Sequence, residues 1–217
     1  MKSDNRTDFI INLADIKKSD SILTVGVAHI PEIERIIETK TKSSNCIDFD
    51  LKKINHAKRY TKKTNFICGD ITNPDKKMFN GFDTIIMLEV LEHIKGDSEV
   101  LENIHKMLKN EGKLIITVPN KHPLHIINPL LYTQHYRHYK MDEITTLLKK
   151  VGFSIQYKNT VESPKLIFDL YVHLFCKYLL RKSIPFGILT GKNDKTYLNN
   201  NNKENKGMDC LVVATKN

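Results

Sequence analysis

The chain has 217 residues, is 40% hydrophobic and 27% charged, and holds no tryptophan; that is enough for a single domain, 1–217, with a sizeable core. Residues 1–8 are polar, with no apolar leader, which argues against secretion and for a cytoplasmic protein. The net charge of +9 comes from scattered lysines. Their densest run (Lys52, Lys53, Lys58, Arg59, Lys62, Lys63) falls on and just after one predicted helix with no aromatic platform beside it. It reads as a solvated face rather than a nucleic-acid surface, with an anionic or membrane surface as the alternative. Cys46, Cys68, Cys176 and Cys210 lack CxxC spacing and read as reduced core thiols.

In chain order, Phe9, Ile10, Leu13 and Ile16 predict a short amphipathic helix, and residues 21–25 a strand that meets Gly26. Residues 31–39 read as a helix opened by Pro31, with Ile33, Ile36 and Ile37 on one face. A strand over 46–49 ends in acid, a helix covers 51–60, and a strand over 65–68 ends in Gly69-Asp70. Residues 84–88 form an apolar run without alternation, the pattern of a strand covered on both faces. A helix over 98–108 and a second buried strand over 113–118 complete a strand–helix–strand unit. A His-, Pro- and Tyr-rich segment follows Asn120. Residues 141–150 are a helix closed by Gly152 in a left-handed cap. Two last strands, over 153–161 and 210–215, fit an antiparallel pair, and 198–206 is an Asn-rich loop. The alternation predicts an α/β fold: a doubly wound Rossmann-like sheet, mostly parallel with an antiparallel last strand and helices on both faces.

Three acid-tipped strands line up along the carboxyl edge, where ligands sit in such sheets. Gly26 ends the first strand, Asp48 ends the second, 22 residues on, and Asp70 follows the third. A carboxylate about 20 residues beyond a glycine turn suits a ribose diol, and Asp70 could accept from an adenine amino group. Together they describe a nucleoside-shaped slot.

The blocks ILTVGVA, CIDFDLKKINHAKR, FICGDI, FDTIIMLEVLEHI, LKNEGKLIITVPN and HYRHYKMDEITTLLKKVGF stand in an order and spacing that resembles the class I S-adenosylmethionine-dependent methyltransferases. The LEVLEH block, and the PN after the fifth strand, look most like small-molecule enzymes of the ubiquinone-biosynthesis and polysaccharide-associated type. The resemblance implies a methyl donor, S-adenosylmethionine, leaving as S-adenosylhomocysteine. It places the methionine moiety at Val25, Gly26, Val27, Ala28 and Glu89, the ribose at Asp48, and the adenine against Phe49, Asp70 and Ile71. Asp48 is preferred to Asp50 because the nine residues from Asp48 to Ala57 keep the family's register; Asp50 is instead an N-cap. The first loop departs from the family pattern. Thr24 replaces its acid, and Ala28 and Ile30 replace its later glycines.

Methyl transfer is an in-line displacement, so the enzyme supplies alignment and a base where the acceptor is a hydroxyl. The base candidates are His135 first and His93 second, the latter sharing a helix face with Glu89 at i, i+4. His122, His125 and His138 also lie in or near the segment, but interleaved Tyr and Arg argue against a zinc site, and no metal is expected. Glu92 reads as a solvent-facing helix residue. Acceptor-side additions are expected at about 120–140 and 162–208. Within the second, 165–182 carries a polar stripe (Asp169, His173, Lys177, Arg181) on a broadly apolar helix. It suits a cover over the site mouth, a homodimer interface, or an interfacial helix on a membrane.

The reading is therefore a methyltransferase acting on a small-molecule, glycan or lipid-linked acceptor at oxygen, without specific nucleic acid as partner. Leu88-Glu89-Val90-Leu91 stands where a base-methylating enzyme carries its Asn/Asp-Pro-Pro-aromatic tetrad, and GVAHIP is not the GxGxxG of an oxidoreductase. The non-enzyme alternative is an inactive methyltransferase-like scaffold.

Overall fold

A computed structural model describes residues 5–121, 136–161 and 207–217. Helix α1 (Asn5–Ala14) precedes β1 (Ser21–Val25), α2 (Glu32–Lys40), β2 (Ser43–Asp48), α3 (Leu51–Ala57) and β3 (Asn65–Cys68). Then come β4 (Phe82–Leu88), α4 (Asp97–Met107), β5 (Leu108–Pro119), α5 (Met141–Val151), β6 (Phe153–Val161) and β7 (Asp209–Lys216). Among the described residues the strands form one sheet in the order β3-β2-β1-β4-β5-β7-β6. The first five are parallel, and β7 runs antiparallel between β5 and β6. The expected doubly wound sheet with an antiparallel last strand is present. The chain reverses direction in sheet order at β1/β4, and the crevice above that point is where this topology receives ligands.

The apolar runs explain the layers. Along β4 every side chain from Thr84 to Met87 is buried, with Ile85 and Met87 on one face and Ile86 on the other. The first face packs on Val100, Leu101, Ile104 and Met107 of α4 and on Ile144 and Leu148 of α5. The second carries Ile22, Ile86 and Ile115 against Ile10, Ile11 and Ala14 of α1 and Ile37 of α2. Each such side chain, fully buried, contributes roughly 1.5–3 kcal/mol.

Local signals set the boundaries. The Asp50 carboxylate accepts from the N–H groups of Lys52 (2.8 Å) and Lys53 (3.3 Å), so it caps α3 as its position suggested. Gly152 ends α5 at φ +108, the left-handed cap expected there. Strand β5 starts earlier than the run over 113–118 implied. It pairs through Leu108 opposite Phe82, bulges, and resumes with Lys113 opposite Thr84. The 3.6-residue spacing of α4 ends at Met107, and Leu108 belongs to the strand.

Candidate active site

The crevice is built from the tips of β1, β2 and β4. Gly26 leaves β1 at φ +80 and donates its N–H to the Ile47 carbonyl at 2.8 Å. A Cβ there would lie 2.7 Å from Cγ2 of Val90, so glycine is required both by conformation and by space. The backbone turns tightly at this point and then runs to Ala28 without another left-handed residue. The missing second and third glycines are therefore not needed for this turn. The chain instead enters α2 through Pro31, with Ile30 half-exposed at the rim.

Asp48 lies at the tip of β2, almost fully buried. Its Oδ2 accepts the Val27 N–H and its Oδ1 the Asp50 N–H, both at 2.8 Å. Each carboxylate oxygen keeps a second lone pair. The acid thus ties the glycine turn to the neighbouring strand and remains able to accept further hydroxyl donors. Phe49, the next residue, is 78% exposed, an apolar ring with no packing role to explain it. Asp70 is exposed, its Oδ1 held by the Thr72 N–H at 2.8 Å, and Ile71 is buried beneath it. The turn after β3 is anchored from the other face of the sheet. Asn103 of α4 donates to the carbonyls of Ile71 (3.2 Å) and Thr72 (2.8 Å).

Glu89 follows β4 at φ +52, a conformation that costs a non-glycine residue about 1 kcal/mol and recurs at functional sites. Its N–H still donates to the Thr117 carbonyl at 3.1 Å, a last rung to β5, and the left-handed backbone at Glu89 then turns the chain out of the sheet. Arg6 of α1 reaches across the same edge, with Nη2 3.8 Å from Glu89 Oε1 and 3.4 Å from Thr117 Oγ1. Sequence reading placed Glu89 and His93 on one helix face. The observed segment is a three-residue 3-10 turn over Leu91–His93, so that relation is absent and the i, i+4 argument for His93 falls.

The same turn corrects the reading of Glu92. Its side chain is 0% exposed rather than facing solvent, because the tight turn rotates it inward over the core. Neither carboxyl oxygen has a hydrogen-bond partner. Burial, and then the neighbouring Glu89 carboxylate, push its pKa up to about 9. His93 Nε2 is 3.8 Å from Glu92 Oε1, and the imidazole side chain is 41% exposed.

The segment after position 135 crosses over this turn. The Tyr136 N–H donates to the Glu92 carbonyl at 2.8 Å, Arg137 pairs with Asp97, and the Tyr139 hydroxyl donates to the same Asp97 carboxylate at 3.1 Å. His135, with His122 and His125, lies outside the described residues, as do the 165–182 stretch, the 198–206 loop and Cys176. His138 is half-buried. No group of three metal-ligating side chains comes together among the described residues, and no described helix is long and apolar enough to cross a membrane. Cys46 and Cys210 are buried free thiols, whereas Cys68 is exposed on the edge strand β3 and is not a core residue.

Sequence reading missed Glu34, Asn103 and Arg6. Glu34 of α2 is 4% exposed and accepts the Thr24 hydroxyl at 2.7 Å, with burial raising its pKa. A buried carboxylate thus stands beneath the glycine turn after all, carried by the helix while its usual strand position holds Thr24. The signal was available: Glu34 is three residues from Ile37, on the buried face. Asn103 likewise sits between Val100 and Met107 on the inward face of α4. Arg6 left no pattern to find. His29, in the altered loop, stacks on His56 of α3 with ring centroids 4.3 Å apart, a second tie between the loop and its neighbour.

Comparison with known proteins agrees with this geometry. A family model described as a methyltransferase domain matches residues 7–158. An uncharacterised protein of Methanocaldococcus jannaschii is 32% identical over 133 residues, 60% of this chain and 55% of that protein, so the chain spans about half the length of this relative. Among solved structures, the [4+2]-cyclase SpnF superposes with a TM-score of 0.69 at 16% identity, over 97% of this chain and 80% of that one. The N-methyltransferase NodS from Bradyrhizobium japonicum, in complex with S-adenosyl-L-homocysteine, gives 0.64 at 15% identity, over 98% and 85%. These two likenesses establish the fold; that a cyclase is one of them shows that the fold by itself does not dictate the reaction. With its family model covering most of the length and its glycine turn, acid tips and strand order in place, the chain belongs to the methyltransferase-domain family, within the class I S-adenosylmethionine-dependent methyltransferases.

Proposed function

We propose that the protein methylates a small-molecule acceptor, free or carried on a glycan or lipid, at an oxygen atom. The observation that carries the reading is the junction of Gly26 and Asp48. A buried carboxylate at one strand tip holds the glycine turn of the next by the Val27 N–H, beside an exposed aromatic ring. These residues fit S-adenosylmethionine. Asp48 would accept from the ribose hydroxyls, Phe49, Asp70 and Ile71 would hold the adenine, and Val25–Ala28 with Glu89 would face the methionine moiety. When bound, S-adenosylmethionine supplies a methyl carbon on a positively charged sulfur, activated for attack without further help from the protein.

What this chain adds is orientation and proton handling. Glu89, bent out of β4, presents a carboxylate suited to an α-ammonium group, and Arg6 supplies a cation at the same edge. The choice of oxygen rests on the Glu92–His93 turn, whose buried carboxyl and exposed imidazole can hold or pass a proton. The apolar rim formed by Ile30, Phe49 and Leu51, next to Lys52 and Lys53, suits an amphiphilic acceptor.

Calorimetric titration with S-adenosylmethionine and S-adenosylhomocysteine tests the reading. Micromolar binding that Asp48→Ala weakens about 30-fold or more, the loss of charged hydrogen bonds worth about 2 kcal/mol or more, supports it. A folded protein that binds neither ligand at millimolar concentration is a scaffold and not a methyltransferase.

A further inference from the structure

Glu92 is at odds with its surroundings. A carboxyl side chain with no exposure and no hydrogen-bond partner for either oxygen is costly, and a fold keeps such a group where it has work to do. Among the described residues, the charged and titratable groups around it are few. Glu89 comes from the end of β4, Arg6 from α1, His93 from its own turn and Tyr139 from the stretch before α5. Arg6 lies nearer Glu89 and is the only cation among these. With a second carboxylate beside it, Glu92 keeps its proton in the free protein at neutral pH.

We propose that Glu92 and His93 form a proton relay armed by the methyl donor: Glu92 gives up its proton when the sulfonium charge arrives at the β4 edge, and then receives, through His93, the proton of the acceptor hydroxyl. The inference rests on the methyltransferase reading and adds the residue that handles the proton. The charges balance. A positive charge placed beside two carboxyl groups favours the ionised form of the second, and its proton leaves for solvent. His93 offers the way out, with its ring 3.8 Å from the carboxyl and partly in water. During transfer the acceptor's O–H proton passes to His93, and the ring's other N–H proton passes to a Glu92 oxygen, as the new O–C bond forms. The site is then left with a neutral Glu92 and an uncharged thioether product. At no stage do Glu89 and Glu92 both carry their charge without the sulfonium beside them, which explains how such an acid is tolerated there. Glu92 cannot act in this way on an acceptor before the donor is bound.

The test needs no knowledge of the acceptor. Calorimetry of the whole chain at about pH 8, in two buffers of different ionisation heat, counts the protons exchanged on binding. On the order of one more proton should be released with S-adenosylmethionine by the wild-type chain than by Glu92→Gln. The difference between the two chains cancels titration of the ligand's own amino group. S-adenosylhomocysteine, which lacks the sulfonium charge, should release less than S-adenosylmethionine from the wild type. Equal release by wild type and Glu92→Gln overturns the inference while leaving the methyltransferase reading in place. Should the variant not fold, equal release by the two ligands in the wild type does the same. Absence of binding by either ligand overturns the underlying reading instead.

Discussion

Asp48 and Glu92 are both buried carboxyl groups at the carboxyl edge of one sheet, yet the fold surrounds them in opposite ways. Asp48 is met by two backbone N–H groups at 2.8 Å, donors that the fold supplies at fixed positions. Glu92 meets no donor and lies beside another carboxylate, so its neutral form prevails. A satisfied carboxylate recognises a ligand without changing state. An unsatisfied one can change state when a ligand alters its field. The β1–β2 side of the crevice thus carries a carboxyl held by fixed donors, and the β4 side one that lacks them. Glu34 falls between the two, buried and raised but given one hydroxyl donor by Thr24.

The variant that should break this division most severely is Gly26→Ala. Its new methyl group must share space with Val90, the residue after Glu89, while φ +80 opposes any side chain. Loss of about 2–3 kcal/mol of stability is expected from the strain and clash together, seen as a lower thermal midpoint. Cofactor affinity should fall with it, since both sides of the crevice are pushed at once. A fully stable variant with wild-type affinity would show that the turn can relax away from Val90.

Glu92→Gln sharpens the comparison from the other side. The folded-state pKa of Glu92 lies above the ordinary carboxyl value, so between the two the folded chain holds a proton that the unfolded chain has released. Stability contributed by this group is complete below the ordinary carboxyl range and is lost as pH rises toward about 9. Glutamine, neutral throughout, escapes that loss. The variant should therefore be more stable than wild type by roughly 2–4 kcal/mol at about pH 8, and the two should converge near pH 4, in chemical denaturation run at both values. A constant difference between the two pH values would mean that Glu92 is not neutral in the folded state.

The smallest effect is expected far from the crevice. Asp83 accepts from Lys109 Nζ at 2.7 Å and from the Ser21 N–H at 2.8 Å, and these partners hold its carboxyl low although partial burial opposes them. Both side chains of the pair are a third or more exposed, so Lys109→Ala should cost less than about 1 kcal/mol. Cofactor affinity should be unchanged. A larger loss of binding would mean that the sheet's far end bears on the crevice.

How much of this was legible depended on the range of the interactions involved. Asp50 as a cap, Gly152 as a left-handed terminus and the unbroken apolar run of β4 are local facts, and the structure holds them as read. Glu92 was misread because an LEVLEH run fits a helix as well as a tight turn. Only the bend forced at Glu89, with its N–H bound to Thr117 on the next strand, decides between them. Residues 122–135 and 162–206 include the first choice of base, His135, and lie outside the described residues.

From the chain alone came the order of strands and helices and the placing of Gly26, Asp48 and Glu89 at the carboxyl edge of the sheet. Those follow from periodicities and from acids at strand ends, which each segment carries by itself. The tertiary structure alone decided that Glu34 stands beneath a turn that holds Thr24 in place of its own acid, that Arg6 crosses to Glu89, and that the Glu92 carboxyl is buried without a hydrogen bond. The reason is physical. Whether a carboxyl group is charged depends on which donors and charges surround it, and those come from α1, α2, β5 and the 3-10 turn, segments far apart in sequence that meet only when the sheet closes.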